Sequence, residues 1–173
     1  MDDPKGGDPL SVIKAKRQEG KLNTLTKARE MCAYTIQICK NEKNFPKRDR
    51  WILTQPIVNE ALSIMSCIRR ANAVRVEVKE DYMYRRSEQV KAYSHAEAML
   101  TLMDIAYVSL GIESHRIEHW TGLVLEVEKL VQKWRRSDKA RYKEFIDDEK
   151  KDAGAVADDE RQTDDDPASQ EGA

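Results

Sequence analysis

Apolar positions recur along much of this chain in alternating steps of three and four, the spacing that lines one side of an α-helix. Leu25, Ala28, Cys32, Thr35 and Cys39, joined by Ile36, predict a first helix from about Asn23 or Thr24 to Asn41, with Thr24 as its N-cap. Asn44-Phe45-Pro46-Lys47 then breaks the pattern. A second helix, at about residues 49–73, follows from Ile57, Ala61, Ile64, Ile68 and Ala71, widened by Val58, Leu62 and Met65. Pro56 falls early in that segment, so either the regular helix begins near Gln55 or it bends there. Tyr93, Ala96, Leu100, Met103, Tyr107 and Leu110 predict a third helix, from Val76 or Glu80 to Leu110, closed by Gly111. Its charged beginning, residues 79–91, projects beyond the bundle on this reading. Ile117, Trp120, Val124, Val127, Val131 and Trp134, with Leu123 and Leu130 beside them, predict a fourth helix that starts near Glu113 or Ser114, is capped by Ser114 and runs on towards Phe145.

Four long helices with short connections imply an all-α fold, an antiparallel up-and-down four-helix bundle. Seams of this period imply near-parallel packing of the coiled-coil kind. Residues 22–146 form the expected bundle, residues 1–21 a flexible leader and residues 147–173 an acidic disordered tail. Gly and Pro are scarce, at 7 and 5, which fits helices better than sheets.

The net charge of −1 conceals an uneven distribution. Residues 147–173 hold 11 acidic and 3 basic side chains, a net of −8, so the remainder, with 20 acidic and 27 basic, carries +7. A basic body attracts phosphates, and an acidic tail can screen it or compete for the same surface. The tail is read first as a solubility device and second as a nucleic-acid mimic. Cys32, Cys39 and Cys67 form no C-x-x-C pair, and Cys32 and Cys39 stand two turns apart, roughly 10 Å along a helix, too far to bridge. All three read as reduced and partly buried, which suits a cytoplasmic protein. No apolar run approaches the roughly 20 residues of a membrane span, and residues 1–9 lack the apolar stretch of a signal peptide.

Little in the chain points to catalysis, and the reading is of a protein that is not an enzyme and takes no cofactor. There is no phosphate-binding glycine loop and no nucleophile elbow. His115 and His119 are one turn apart around Glu118 but lack a third ligand at any recognisable spacing, so two polar residues near a helix start is the plainer reading and no metal is expected. His95 reads as a solvated or packed histidine. The basic residues carry more information. Arg69, Arg70, Arg75, Lys79, Arg85, Arg86 and Lys91 form one set, and Lys129, Lys133, Arg135, Arg136, Lys139, Arg141 and Lys143 another. Antiparallel packing brings the end of the second helix, the start of the third and the end of the fourth together, so the two sets can merge into one end that neutralises phosphates. Tyr82, Tyr84 and Tyr142 lie among them and can stack on bases. Glu77, Glu80, Asp81, Glu88 and Glu144 are interleaved, and the alternative is a plain solvated face of paired charges.

The segment Asn44-Phe45-Pro46-Lys47-Arg48-Asp49-Arg50-Trp51-Ile52-Leu53-Thr54-Gln55 resembles the "FPK.ER..L..Q" signature between the first two helices of a four-helix-bundle family. That family includes the rRNA intervening-sequence proteins and the accessory variability determinant (Avd) of diversity-generating retroelements. The likeness continues through residues 57–64, the Arg69-Arg70-Ala71-Asn72 end and Leu110-Gly111-Ile112, and covers roughly residues 25–137. Asp49 replaces the more usual Glu, and Pro56 departs from the usual aliphatic or Arg position. The resemblance implies a homopentamer with a positively charged surface that serves the element's reverse transcriptase and its template RNA. Phe45, Pro46, Arg50 and Leu53 would then be a loop anchor, a turn, an ion-pair partner and core, and Arg69, Arg70, Arg75 and Lys79 the leading contacts, joined by Arg85, Arg86, Lys133, Arg135 and Arg136. Val58, Leu62, Met65, Leu123 and Leu130 exceed a narrow seam and supply either an oligomer interface or a wider monomer core. The alternative function is a protein-only scaffold of a mobile element or phage.

Overall fold

The computed structural model describes the backbone of residues 9–147 and the side chains from Asn23 onward. Helices α1 (Pro9–Lys40), α2 (Gln55–Ala73), α3 (Lys79–Leu110) and α4 (Ser114–Arg141) account for most of it. The chain divides into two units, Met1–Ser137 and Asp138–Ala173, and α4 runs from the first into the second. In the second unit, Tyr142 N–H donates to the Asp138 carbonyl (2.9 Å), and the Tyr142 and Phe145 rings stack at 6.0 Å. Residues 148–173, which hold nearly all of the acidic tail, and residues 1–8 of the expected leader lie outside the described residues. From Pro9 the leader is helical, an extension of α1 by more than three turns beyond its expected start. Proline at a first helical position is no obstacle, because its missing N–H would have no partner there.

Side-chain bridges fix the topology. Cys32 Sγ on α1 donates to the Ala61 carbonyl on α2 (3.0 Å). Glu60 on α2 meets His95 on α3 (2.6 Å), and Arg70 meets Glu88 (2.6 Å). Tyr93 on α3 lies beside Glu128 and Gln132 on α4, and Tyr107 Oη beside Ser114 Oγ (3.1 Å). Lys27 on α1 reaches Glu126 on α4 (3.6 Å). Further along α1, Ile36 and Cys39 line one cavity with Val58 and Thr54, and Thr35 meets Trp120; one number rises as the other falls in every couple, so consecutive helices, and the first with the last, run antiparallel. The fold is all-α, a four-helix bundle in up-and-down order, as the periodicity predicts.

Buried residues reproduce the predicted seam of α2 (Ile57, Ala61, Ile64, Ile68 and Ala71) and that of α4 from Trp120 onward (Trp120, Val124, Val127, Val131 and Trp134), while Ile117 is half-buried. The α1 seam gains Met31 and Ile38. On α3 the seam is rotated: Tyr82, Arg85, Gln89, Ala92, Ala96, Met99, Met103 and Ala106 are buried, whereas Tyr107 is 39 % exposed. Small Ala92, Ala96 and Ala106 let the helix approach the core closely, and bulkier Tyr93 and Leu100 flank that contact. Of the five surplus apolar residues, Val58, Met65 and Leu123 pack against the core and Leu130 is half-buried, while Leu62 stays exposed. A buried polar chain ties α1 to α4, with Trp120 Nε1–H donating to Thr35 Oγ1 (2.8 Å) and that hydroxyl donating to the Met31 carbonyl (2.8 Å).

The connections explain the helix limits. Asn41 accepts from Phe45 N–H (2.9 Å) through its carbonyl and from Lys43 N–H (3.0 Å) through its side chain, folding a tight turn after α1. Phe45 is buried edge-on against Trp120, with ring centroids 6.1 Å apart. A 3-10 turn (Lys47–Asp49) and a five-residue π-turn (Arg50–Thr54) follow, and regular α2 begins at Gln55 with Pro56 in its first turn. Pro56 has no N–H to give the carbonyl four residues back, and Gln55 N–H instead reaches five residues back to Arg50. Asp81 accepts from the N–H groups of Glu77 (3.1 Å) and Val78 (3.3 Å), which starts α3. Gly111 ends it in the left-handed region (φ 65°), where its N–H donates to Tyr107 (3.1 Å). Glu113, rather than Ser114, caps α4: its carbonyl accepts from Arg116 and Ile117, and its carboxylate holds Arg116 Nε (2.7 Å). No described helix is long and apolar enough to cross a membrane.

Candidate nucleic-acid interface

The antiparallel order brings the end of α2, residues 74–78, the start of α3 and residues 133–137 of α4 to one end of the bundle. Arg69, Arg70, Arg75, Lys79, Arg85, Arg86, Lys133, Arg135 and Arg136 lie there, whereas Lys139, Arg141 and Lys143 belong to the second unit, and the nine fall into two groups. Some are held inward. Arg85 is buried and donates through Nη2 to the Val74 carbonyl, pinning α3 to the connection before it. Its burial removes it from any surface contact. Arg70 is clasped by Glu88 and also donates to Cys67 Sγ (3.1 Å). Arg86 Nη1 leans on Tyr82 Oη (3.4 Å), and Lys79 and Arg135 are half-buried.

The outward group is smaller. Arg69, Lys133 and Arg136 are exposed and make no ion pair among the described residues. Arg75 is 89 % exposed and touches Glu77 (3.1 Å), a solvated pair that competes weakly with any other anion. Of the aromatic residues expected to stack on bases, Tyr82 is buried and cannot, and Tyr84, 49 % exposed on the first turns of α3, can. Tyr142 lies in the second unit.

Glu88 organises this end. Its carboxylate is almost fully covered, yet it receives Arg70 Nε (2.6 Å) and Lys91 Nζ (2.9 Å). Burial pushes the carboxyl up, but the hydrogen bonds and charges of Lys91 and Arg70 outweigh burial, so its pKa falls below the ordinary 4.5. The same contact raises the pKa of Arg70 and of Lys91. A carboxyl with a depressed pKa in the folded state stabilises the fold above its unfolded pKa, and that contribution disappears as pH falls through the folded pKa. Urea midpoints are therefore expected to fall between pH 5 and pH 3, and to fall less in Glu88→Gln; equal falls in both chains would remove Glu88 from the acid response.

The sequence reading missed the bridge from His95 Nδ1 to Glu60 (2.6 Å), because the partners sit 35 residues apart and only the α2–α3 register joins them. His115 and His119 do not converge: His115 is near Glu113 (3.6 Å), and His119 packs on the Tyr34 ring at 4.8 Å. Among the described residues no three His, Cys, Asp or Glu side chains stand together as a metal site. All three thiols are free and buried. Burial raises Cys32 to about 11 and Cys39 to about 12, and burial with the nearby Glu88 charge also raises Cys67. These thiols are protonated and poorly nucleophilic at neutral pH. No protein-family model, no curated protein and no solved structure matches this chain.

Proposed function

We propose that this protein is a non-catalytic accessory factor that binds RNA through the basic end of its bundle and serves a reverse transcriptase in a diversity-generating retroelement of the cytoplasm. The observation that carries the nucleic-acid part is the set of exposed cations Arg69, Arg75, Lys133 and Arg136 at one end, three of them without a counter-ion among the described residues. Cations free of counter-ions attract a phosphate chain without first breaking a bond to the protein. Tyr84 beside them adds a stacking surface. The reverse transcriptase and the retroelement setting rest on the resemblance of residues 44–55 to the Avd-type signature.

A fluorescence titration with structured RNA and with duplex DNA across a salt series tests the reading. Binding that weakens steeply with salt supports it. No binding at low salt leaves the protein-only scaffold, a reading that the exposed Trp51 and Ile52 favour on their own account. The homopentamer implied by the resemblance would use the exposed α2–α3 face, where Leu62 and Ile105 remain uncovered. Light scattering is expected to give a mass of several chains, and the mass of a single chain would end that part of the proposal.

A further inference from the structure

We propose that the hinge between α1 and α2, at the opposite end from the basic cluster, is a docking site for an acidic segment of a partner protein that carries a large apolar anchor. A cavity of about 390 Å³ opens there, walled by Ile36, Cys39, Phe45 and Val58. Thr54 also lines it, with an Oγ1 that has no hydrogen-bond partner among the described residues. Beside the cavity, the π-turn holds Trp51 and Ile52 out in solvent, 74 % and 71 % exposed. Two large apolar side chains presented this way next to an apolar cavity form a surface that gains by being covered.

Charge selects the occupant. From Lys40 to Arg50 the chain holds five cations against Glu42 and Asp49. Lys47 pairs with Glu42 (3.2 Å) and Arg48 with Asp49 (3.5 Å). Lys40 and Arg50, which line the cavity, make no ion pair among the described residues. A second copy of the chain would bring the same surplus of positive charge face to face in a two-fold contact, which opposes self-association here. The chain's own residues 147–173 are acidic but offer only alanines and Val156 as apolar groups after Asp147, none large enough to serve as an anchor. An acidic partner segment with one or two large apolar side chains satisfies the cavity, the exposed π-turn and the unpaired cations together. The site does not depend on nucleic acid binding at the other end.

The test uses the full chain and a hexapeptide of four glutamates around a central Leu-Phe pair, acetylated and amidated at its ends. Trp120 and Trp134 are buried, so Trp51 supplies the solvent-exposed part of the tryptophan emission. Saturable blue-shifting of that emission is expected, with no shift from the lysine analogue or from an analogue with Ala-Ala at the centre. Arg50→Glu and Ile52→Asp, both at exposed positions, are each expected to weaken binding roughly tenfold or more. If Ile52→Asp unfolds the chain, Arg50→Glu alone decides. Arg69→Glu with Arg136→Glu is expected to leave peptide binding unchanged, which separates this site from the basic end. Absence of a shift at millimolar peptide, or equal binding of the lysine analogue, overturns the proposal. So does single-stranded RNA binding that is lost in Arg50→Glu, or an oligomer that Ile52→Asp dissociates, since the hinge would then hold RNA or a second copy.

Discussion

Replacing Trp120 by alanine is expected to destabilise the bundle by about 3–5 kcal/mol, the usual cost of emptying a large aromatic site. The side chain is fully buried, it donates to Thr35 on α1 (2.8 Å), and its ring meets Phe45 edge-on. Its removal therefore loosens α4 from α1 and takes away the surface on which the Phe45 loop rests. Domains of this size are stable by only about 5–15 kcal/mol, so the loss is a large fraction of the whole and should lower Tm by roughly 10 °C. A urea titration read by circular dichroism measures it. Thr35→Val is the informative companion, because it keeps the volume but leaves the indole N–H without a partner, at about 1–3 kcal/mol. A loss of under about 1 kcal/mol in Trp120→Ala would mean that the indole is not packed as described.

The second large effect concerns RNA. Reversing Arg69, Arg75 and Arg136 to Glu is expected to weaken binding at low salt on the order of a hundredfold, and to reduce the slope of log affinity against log salt by roughly two to three. These side chains are exposed, so the urea midpoint should barely move. Arg70→Glu and Arg85→Glu are expected to behave differently. Arg70 covers the Glu88 carboxylate and Arg85 holds the Val74 carbonyl, so either reversal lowers stability, and any loss of RNA binding follows from the altered fold. Unchanged affinity in the triple variant would dismiss the basic end as the contact surface.

The contrast between these variants marks what the sequence can tell. The α2 and α4 seams were legible because Ile, Val and Trp at steps of three and four have nowhere to go but inward. On α3 the pattern names Ala96 and Met103, which are buried, but between them the buried line runs through Ala92, Met99 and Ala106, which look weak beside the bulkier Tyr93, Leu100 and Tyr107. The basic residues were legible as a set and as an end of the bundle. Their division into inward and outward groups was not, because Arg85 and Arg70 are claimed by Val74 and Glu88, partners that only the register of α2 against α3 supplies. Arg50, read as an ion-pair partner, makes no ion pair among the described residues. Phe45 and Leu53 were readable as buried because an apolar side chain in a polar connection has few other uses.

The π-turn before Pro56 makes the chain sensitive to its own length. Each residue of a helix turns the chain by about 100°, so a wide turn that holds one residue more than an α-turn can be lost by deleting a single residue. Deleting Leu53 would leave α2 and its seam in place and rotate everything before it, carrying Trp51 and Ile52 to a different face and straining the tie from Phe45 to Trp120. Point substitutions at Trp51 or Ile52, which touch little, should be tolerated by the fold, while a one-codon gap a few bases away should not. At this end the reading frame of the surface is set by how many residues are present as well as by which ones.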